Sequence, residues 1–220
     1  MHPSLPADYI ARMEADDPEA YRSEVLGEFR SGISTFLDPE AVAACIVEGR
    51  REQAPVAGIR YFAFCDPSGG GKDAFALCIG HRDGERVIVD CLRAWHSPNP
   101  EGTVVEAAAM LRIYRVSSIT GDRYSGQWVR EAFRRQGIGY QVSALDRSAL
   151  YLELLPTANS RAIELLDDAK LLRELRGLER RRGSSGRDRV DHRPGEHDDR
   201  ANVVAGLVVE CRRVVWRVAG

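Results

Sequence analysis

The chain has 220 residues, enough for one sizeable domain with an appendage and too few for two large independent cores. With 44% hydrophobic and 29% charged residues, and 31 basic against 33 acidic, its composition is globular and excludes wholesale disorder. No apolar run approaches a membrane span and Met1-His2-Pro3-Ser4 does not open a secretory signal, so the expected location is the cytoplasm, with no membrane partner.

Asp17-Pro18 predicts a helix start, an aspartate cap with proline at the first helical position, continuing to Phe29 with Tyr21, Val25 and Leu26 on one side. Asp38-Pro39-Glu40 repeats the signal ahead of Ala41 to Val47. Two short helices joined by Ser31 to Thr35 bury little by themselves. Residues 1–55 are therefore expected to be a helical linker or docking arm, and residues 56–220 the main domain.

That domain opens with an apolar, β-rich run, Arg60 to Asp66, broken by Pro67-Ser68-Gly69-Gly70-Gly71 and resumed from Ala74 to Gly80. A turn at Arg82 to Glu85 and a third run, Arg86 to Trp95, complete a three-stranded antiparallel meander. Helical and extended patterns then alternate: Thr103 to Tyr114, Val116 to Thr120, Gln127 to Gln136, Ile138 to Ser143, Arg147 to Leu155, and an extended Ala162 to Leu166. Ala169 to Arg182 carries leucine at 171, 172, 175 and 178, predicting a helix with one apolar face. Gly183-Ser184-Ser185-Gly186 interrupts the chain, Arg187 to His192 suits a hairpin arm, and Asp199 to Val215 is helical. The fold class is α/β, a mixed sheet flanked by helices; a meander followed by crossovers is the order of RNase H-like folds.

The five cysteines, Cys45, Cys65, Cys78, Cys91 and Cys211, form no C-x-x-C pair and lie mostly in apolar runs, so they read as buried thiols. The net charge of −2 hides a basic stretch. From Lys170 to Arg193 there are nine basic residues against four acidic, and Arg173, Arg176, Arg180, Arg181, Arg182, Arg187 and Arg189 form a candidate arm for phosphates. A solvated helix face whose arginines pair with Glu174 and Glu179 is the plainer alternative.

Three acidic signals carry chemistry. Asp66 ends the first strand beside a glycine-rich turn, Asp122 ends a later strand after Gly121, and Asp198-Asp199 opens the last helix behind His197. Each also suits a local task, fixing a turn or capping a helix. Brought to one sheet edge, such carboxylates repel unless cations neutralise them. Oxygen-only ligands suit Mg²⁺ or Mn²⁺, and two such ions can activate a water and stabilise the leaving oxygen of a phosphodiester.

Several segments together resemble the C-terminal nuclease domain of tailed-phage terminase large subunits. They are Asp66-Pro67-Ser68-Gly69-Gly70-Gly71-Lys72-Asp73, Gly121 to Val129, Leu155-Pro156 with Asn159-Ser160-Arg161, Glu164 to Asp167, Leu178 to Arg181, and Asp191 to Asn202. Pro18 to Tyr21 with Leu26 to Phe29 resembles the stretch joining that family's packaging ATPase to its nuclease. The resemblance implies an RNase H-like fold and a metal-dependent endodeoxyribonuclease that cuts concatemeric viral DNA during packaging. It implies metal-binding catalytic acids at Asp66, Asp122 and the Asp198-Asp199 pair, holding Mg²⁺ or Mn²⁺, two ions in all. Asp73, Arg123, His197 and Arg193 are candidates for the surrounding shell or a phosphate contact. Implied partners are double-stranded DNA, a packaging ATPase domain, the small terminase subunit and the portal, in the cytoplasm of a phage- or prophage-bearing host.

Gly70-Gly71-Lys72 does not make a phosphate-binding loop, because Asp66 stands where the first glycine belongs and Asp73 where a Ser or Thr would hold magnesium. No ATPase is expected in these residues, which correspond to a nuclease-domain fragment or a stand-alone nuclease gene product. The alternatives are a Holliday-junction resolvase or other RNase H-like nuclease, and a non-catalytic prophage remnant or docking module of the motor.

Overall fold

The computed structural model describes residues 6–27, 33–67, 74–122, 126–182 and 188–218. Helix α1 (Ala7–Asp16) runs into α2 (Pro18–Glu24), where Asp17 accepts the Ala20 amide at 3.1 Å as the capping signal predicts. α2 is shorter than expected. It stops at Glu24, and Gly27 follows at φ 72, a left-handed backbone suited to ending a helix. Strand β1 (Ile33–Thr35) leads to α3 (Pro39–Ala44), capped by Asp38 through the Glu40 amide.

β2 (Tyr61–Asp66), β3 (Phe75–Asp83) and β4 (Arg86–Trp95) form the expected antiparallel meander. Helix α4 (Pro100–Ile113) crosses to β5 (Ser118–Gly121), and α5 (Gly126–Arg135) crosses to β6 (Gly139–Val142). After α6 (Arg147–Asn159), β7 (Ile163–Glu164) joins the far edge parallel to β4. The six strands lie in the order β6-β5-β2-β3-β4-β7, an RNase H-like mixed sheet.

Side chains alternate across this sheet. Ala63 and Cys65 of β2 face a core shared with α4 and α5, where Val104, Leu111, Val129 and Phe133 are buried. Phe64 faces the opposite core, filled from α6 and from α7 (Ala169–Gly177) and α8 (Asp199–Val218). Ala201, Val203, Val204, Leu207, Val208 and Cys211 of α8 are all fully buried, and each Val or Leu contributes about 1.5–3 kcal/mol. Close approach requires two glycines. A Cβ on Gly206 would enter the Phe64 ring, and one on Gly80 would meet Leu207 and the Ile88 carbonyl. All five cysteines are buried free thiols, as their apolar settings predict.

The helix expected over Ala169 to Arg182 breaks in two. α7 ends at Gly177, and Leu178–Arg182 becomes β8, pairing with β1 on one side and β9 (Asp188–His192) on the other. Glycine is a poor helix former, and β8 turns Leu178 and Arg180 inward, so tertiary pairing overrides the leucine pattern. Within residues 1–55, Phe36, Leu37, Val42 and Cys45 enter the α8-side core, and Arg50 meets Glu164 at 2.7 Å. This half of the segment is thus packed on the main sheet. Among the described residues, no helix is long and apolar enough to cross a membrane.

Candidate active site

The sheet brings two acids together by pairing. Cys65 and Gly121 are register partners on parallel β2 and β5, so Asp66 and Asp122, the next residues, lie side by side. The Asp122 amide donates to the Cys65 carbonyl at 3.0 Å. Gly121 leaves room for Tyr140, whose hydroxyl a Cβ there would strike. The third contribution comes from the start of α8, where Asp199 Oδ2 accepts the Ala74 amide at 3.1 Å. Asn202, a turn further on, donates through Nδ2 to Asp66 Oδ2 at 2.6 Å and to Asp122 Oδ2 at 3.1 Å. Its amide ties the helix to both strand ends.

Asp122 and Asp199 are buried, and Asp66 is 14% exposed. Burial, then the neighbouring Asp122 and more weakly Asp199, push the Asp66 carboxyl up to about 7, against the Asn202 hydrogen bond and the Arg147 charge. The centre therefore carries more negative charge than its surroundings compensate, which a bound cation would correct. Asn202 Oδ1 is a buried acceptor with no hydrogen-bond partner among the described residues. Asp66, Asp122 and Asp199 offer only oxygen, the donor type that suits a hard divalent ion such as Mg²⁺ or Mn²⁺.

Asp198 and Asp199 divide between two neighbourhoods. Asp198 is buried and turned toward α6: its Oδ2 accepts the Tyr151 hydroxyl at 2.8 Å and its Oδ1 accepts Arg147 Nη1 at 3.1 Å. Arg147 Nη2 lies 3.8 Å from Asp66 Oδ2, so one guanidinium spans both carboxylates. His192 Nε2 is 3.9 Å from Asp198 Oδ1 and 3.8 Å from Asp191 Oδ1. Among the described residues, Asp191, His192 and Asp198 form a group whose potential ligand atoms lie within 4.8 Å of one another.

The remaining candidates scatter. His197 is exposed. Arg193 places Nε 3.1 Å from Glu179 and lines an open groove with Arg173, Arg176 and Glu196. Asp73, Arg123 and Arg187 lie outside the described residues, as does the side chain of Arg182. Arg180 does not belong to an outward-facing arm. It is 4% exposed and holds Asp17, Glu19 and Asp188, because its β8 position points inward. Arg181 pairs with Glu179 at 3.0 Å, whereas Arg189 on β9 is 73% exposed.

Sequence reasoning missed Arg147, Tyr151, Asn202 and Glu174. Arg147 and Tyr151 are four apart on α6, a spacing that shares a face, and Asn202 follows Asp199 by three. Glu174 Oε2 accepts the Arg200 and Ala201 amides at 2.7 and 3.0 Å, so α7 supplies the cap of α8. Nothing local in the sequence links those two helices.

A meander extended by parallel strands, with acids at two adjacent strand ends and a helix start, defines the RNase H-like class. Within it, the chain has the fold of the nuclease domain of phage large terminases. The nuclease of the large terminase from thermophilic phage G20c, crystallised with bound magnesium, matches with TM-score 0.67 at 18% identity, over 77% of this chain and 95% of that chain. The same nuclease has been crystallised with bound cobalt and with bound zinc. The large terminase of another thermophilic bacteriophage matches with TM-score 0.71 at 13% identity, over 94% of this chain and 53% of that one. The HK97 bacteriophage large terminase matches with TM-score 0.62 at 13% identity, over 92% and 50%. The chain thus spans about half the length of these last two terminases. No protein-family model and no curated protein sequence matches the chain.

Proposed function

We propose that this chain is a divalent-metal-dependent endodeoxyribonuclease of the terminase type, cutting double-stranded DNA during viral genome packaging. One observation carries the reading: Asp66 and Asp122 converge on Asn202 of α8, with Asp66 pushed up to about 7 by burial and by the neighbouring Asp122. The magnesium, cobalt and zinc bound by the G20c nuclease support a metal role on this fold.

Asp66, Asp122 and Asp199 would hold the metal, with Asp198 orienting Arg147 from the side. When bound, Mg²⁺ or Mn²⁺, as a pair of ions, supplies charge that activates a water and stabilises the leaving oxygen. The chain's own residues do the rest. Asn202 fixes the two strand-end carboxylates and Tyr151 fixes Asp198, while the half-exposed Arg147 marks the side from which a phosphodiester would approach. Arg173, Arg176 and Arg193 on one groove, and Arg189 on β9, are the exposed cations suited to the backbone. His197, Asp73 and Arg123 remain candidates for the outer shell.

A packaging ATPase would attach on the side of residues 1–55, leaving residues 56–220 as the nuclease, with the small subunit and portal as further partners in the host cytoplasm. The deciding experiment is plasmid nicking with Mn²⁺, Mg²⁺ or EDTA, alongside a branched-DNA substrate. Nicking of plain duplex that EDTA and Asp122→Asn both abolish is expected. Cleavage confined to four-way junctions would favour a resolvase, and inertness with every metal would leave a docking module.

A further inference from the structure

We propose that Arg147 is an exchangeable cation of the carboxylate centre: it neutralises Asp66 and Asp198 in the metal-free protein and grips the incoming DNA phosphate once divalent ions take over Asp66. The inference rests on the metal-nuclease reading above and names the residue that would link metal loading to substrate positioning.

The two ends of the guanidinium are held unequally. Nη1 meets Asp198 Oδ1 at 3.1 Å, a hydrogen-bonding distance, while Nη2 stays 3.8 Å from Asp66 Oδ2, too far for one. Asp198 is itself anchored, buried and bound by the Tyr151 hydroxyl at 2.8 Å. Arg147 is therefore tethered at Asp198 and loose at Asp66. Its backbone is fixed as the first residue of α6, whose cap is Asp146 accepting the Ala149 amide at 2.9 Å.

Exposure runs the same way. The Arg147 side chain is 36% exposed, against 14% for Asp66 and 3% for Asp198, so it forms the solvent-facing side of the cluster. It also lines an open groove of about 650 Å³ between α6 and β9, with Ser148, Arg189 and Val190 among its walls. Asp146, Asp188 and Asp191 lie on the same groove, three acids against two arginines, so Arg147 and Arg189 are its two cations in a mixed-charge lining. Arg147 joins this groove to the acids.

Charge then dictates the exchange. Burial works against the charge on this guanidinium, but attraction to Asp198 first, then to Asp66 and more weakly to Asp122, holds its proton more tightly than usual. A divalent ion on Asp66 repels a guanidinium already out of hydrogen-bond range there, while the Asp198 tether keeps it nearby. A planar fork of N–H donors released at that point suits the paired oxygens of a phosphate, which a lysine would contact at a single point.

The test measures Mn²⁺ binding without DNA by calorimetry, and nicking of supercoiled plasmid at saturating Mn²⁺, for the parent, Arg147→Gln, Arg147→Lys and Asp66→Asn. Removing a competing charge should make Arg147→Gln bind Mn²⁺ about tenfold more tightly. The same variant should nick about 10²-fold more slowly, as when one donor to a developing charge is lost. Arg147→Lys should keep near-parental Mn²⁺ affinity and nick at an intermediate rate. A purely structural role predicts the opposite pattern, with Mn²⁺ affinity, melting temperature and nicking falling together, and that result overturns the proposal. So does parental nicking by Arg147→Gln or, should that variant not fold, by Arg147→Lys. Unchanged Mn²⁺ binding in Asp66→Asn defeats the metal centre itself. Loss of binding in that variant beside a parental Arg147→Gln defeats only the role of Arg147.

Discussion

Asp66 shows at the scale of one residue how the site opposes its own folding. Its carboxyl is raised from 3.8 to about 7, so the folded chain holds that proton more tightly than the unfolded chain does. The resulting stability is full below about pH 4 and is lost as pH climbs through about 7. Asp66→Asn should therefore stabilise the fold in EDTA at about pH 8, by no more than about 4 kcal/mol and with a higher melting temperature, the gain vanishing near pH 4. Differential scanning calorimetry across that range checks this, and an equal gain at both ends contradicts it. Tyr151→Phe should do the reverse, costing about 1–3 kcal/mol in urea titrations by leaving buried Asp198 without its hydroxyl donor. Asp66, Asp122 and the 198–199 pair were legible in the sequence because each stands at the end of an apolar run or the start of one. Arg147 was not, since its meeting with Asp198 depends on how α6 packs on α8 rather than on anything near either residue.

Among the elements, α8 matters most, carrying both the third acid and eight buried residues of one core. Its first turn is capped from outside by Glu174, which burial pushes up to about 7 despite two backbone amides and Arg200. Glu174→Ala should cost about 1–2 kcal/mol by removing the cap, while Glu174→Gln, which keeps an acceptor oxygen, should cost less. Chemical denaturation of the two variants side by side measures the difference. The strands of the meander were legible from their apolar runs and turn residues. The β8 strand was not: Leu171, Leu172, Leu175 and Leu178 fit a helix, and only pairing with β1 and β9 decides that Leu178 begins a strand.

Across the molecule, Arg180 binds parts that lie far apart in sequence. Its guanidinium meets Asp17 Oδ1 at 2.8 Å and Asp188 Oδ2 at 3.2 Å, and lies over Phe36 with 5.6 Å to the ring centroid. It thereby fastens α2 to the β8–β9 hairpin. Arg180→Ala would leave these acids without their buried guanidinium, at a cost of about 3–5 kcal/mol. Limited proteolysis should then release the segment holding α1 and α2 before the sheet is cut; an unchanged digestion pattern would show that other contacts hold it. Basic composition suggested a DNA arm here, because a charge run alone does not reveal which arginines point inward.

The site also has an order of assembly. Asp66 and Asp122 leave the ribosome well before α8, and translation at roughly 5–20 residues per second separates them from Asp199 by several seconds. During that interval the two strand-end acids have neither Asn202 between them nor the helix that buries Phe64. The same docking step closes the core and completes the carboxylate set, so a nascent chain halted before α8 has two acids at open strand ends and no assembled centre.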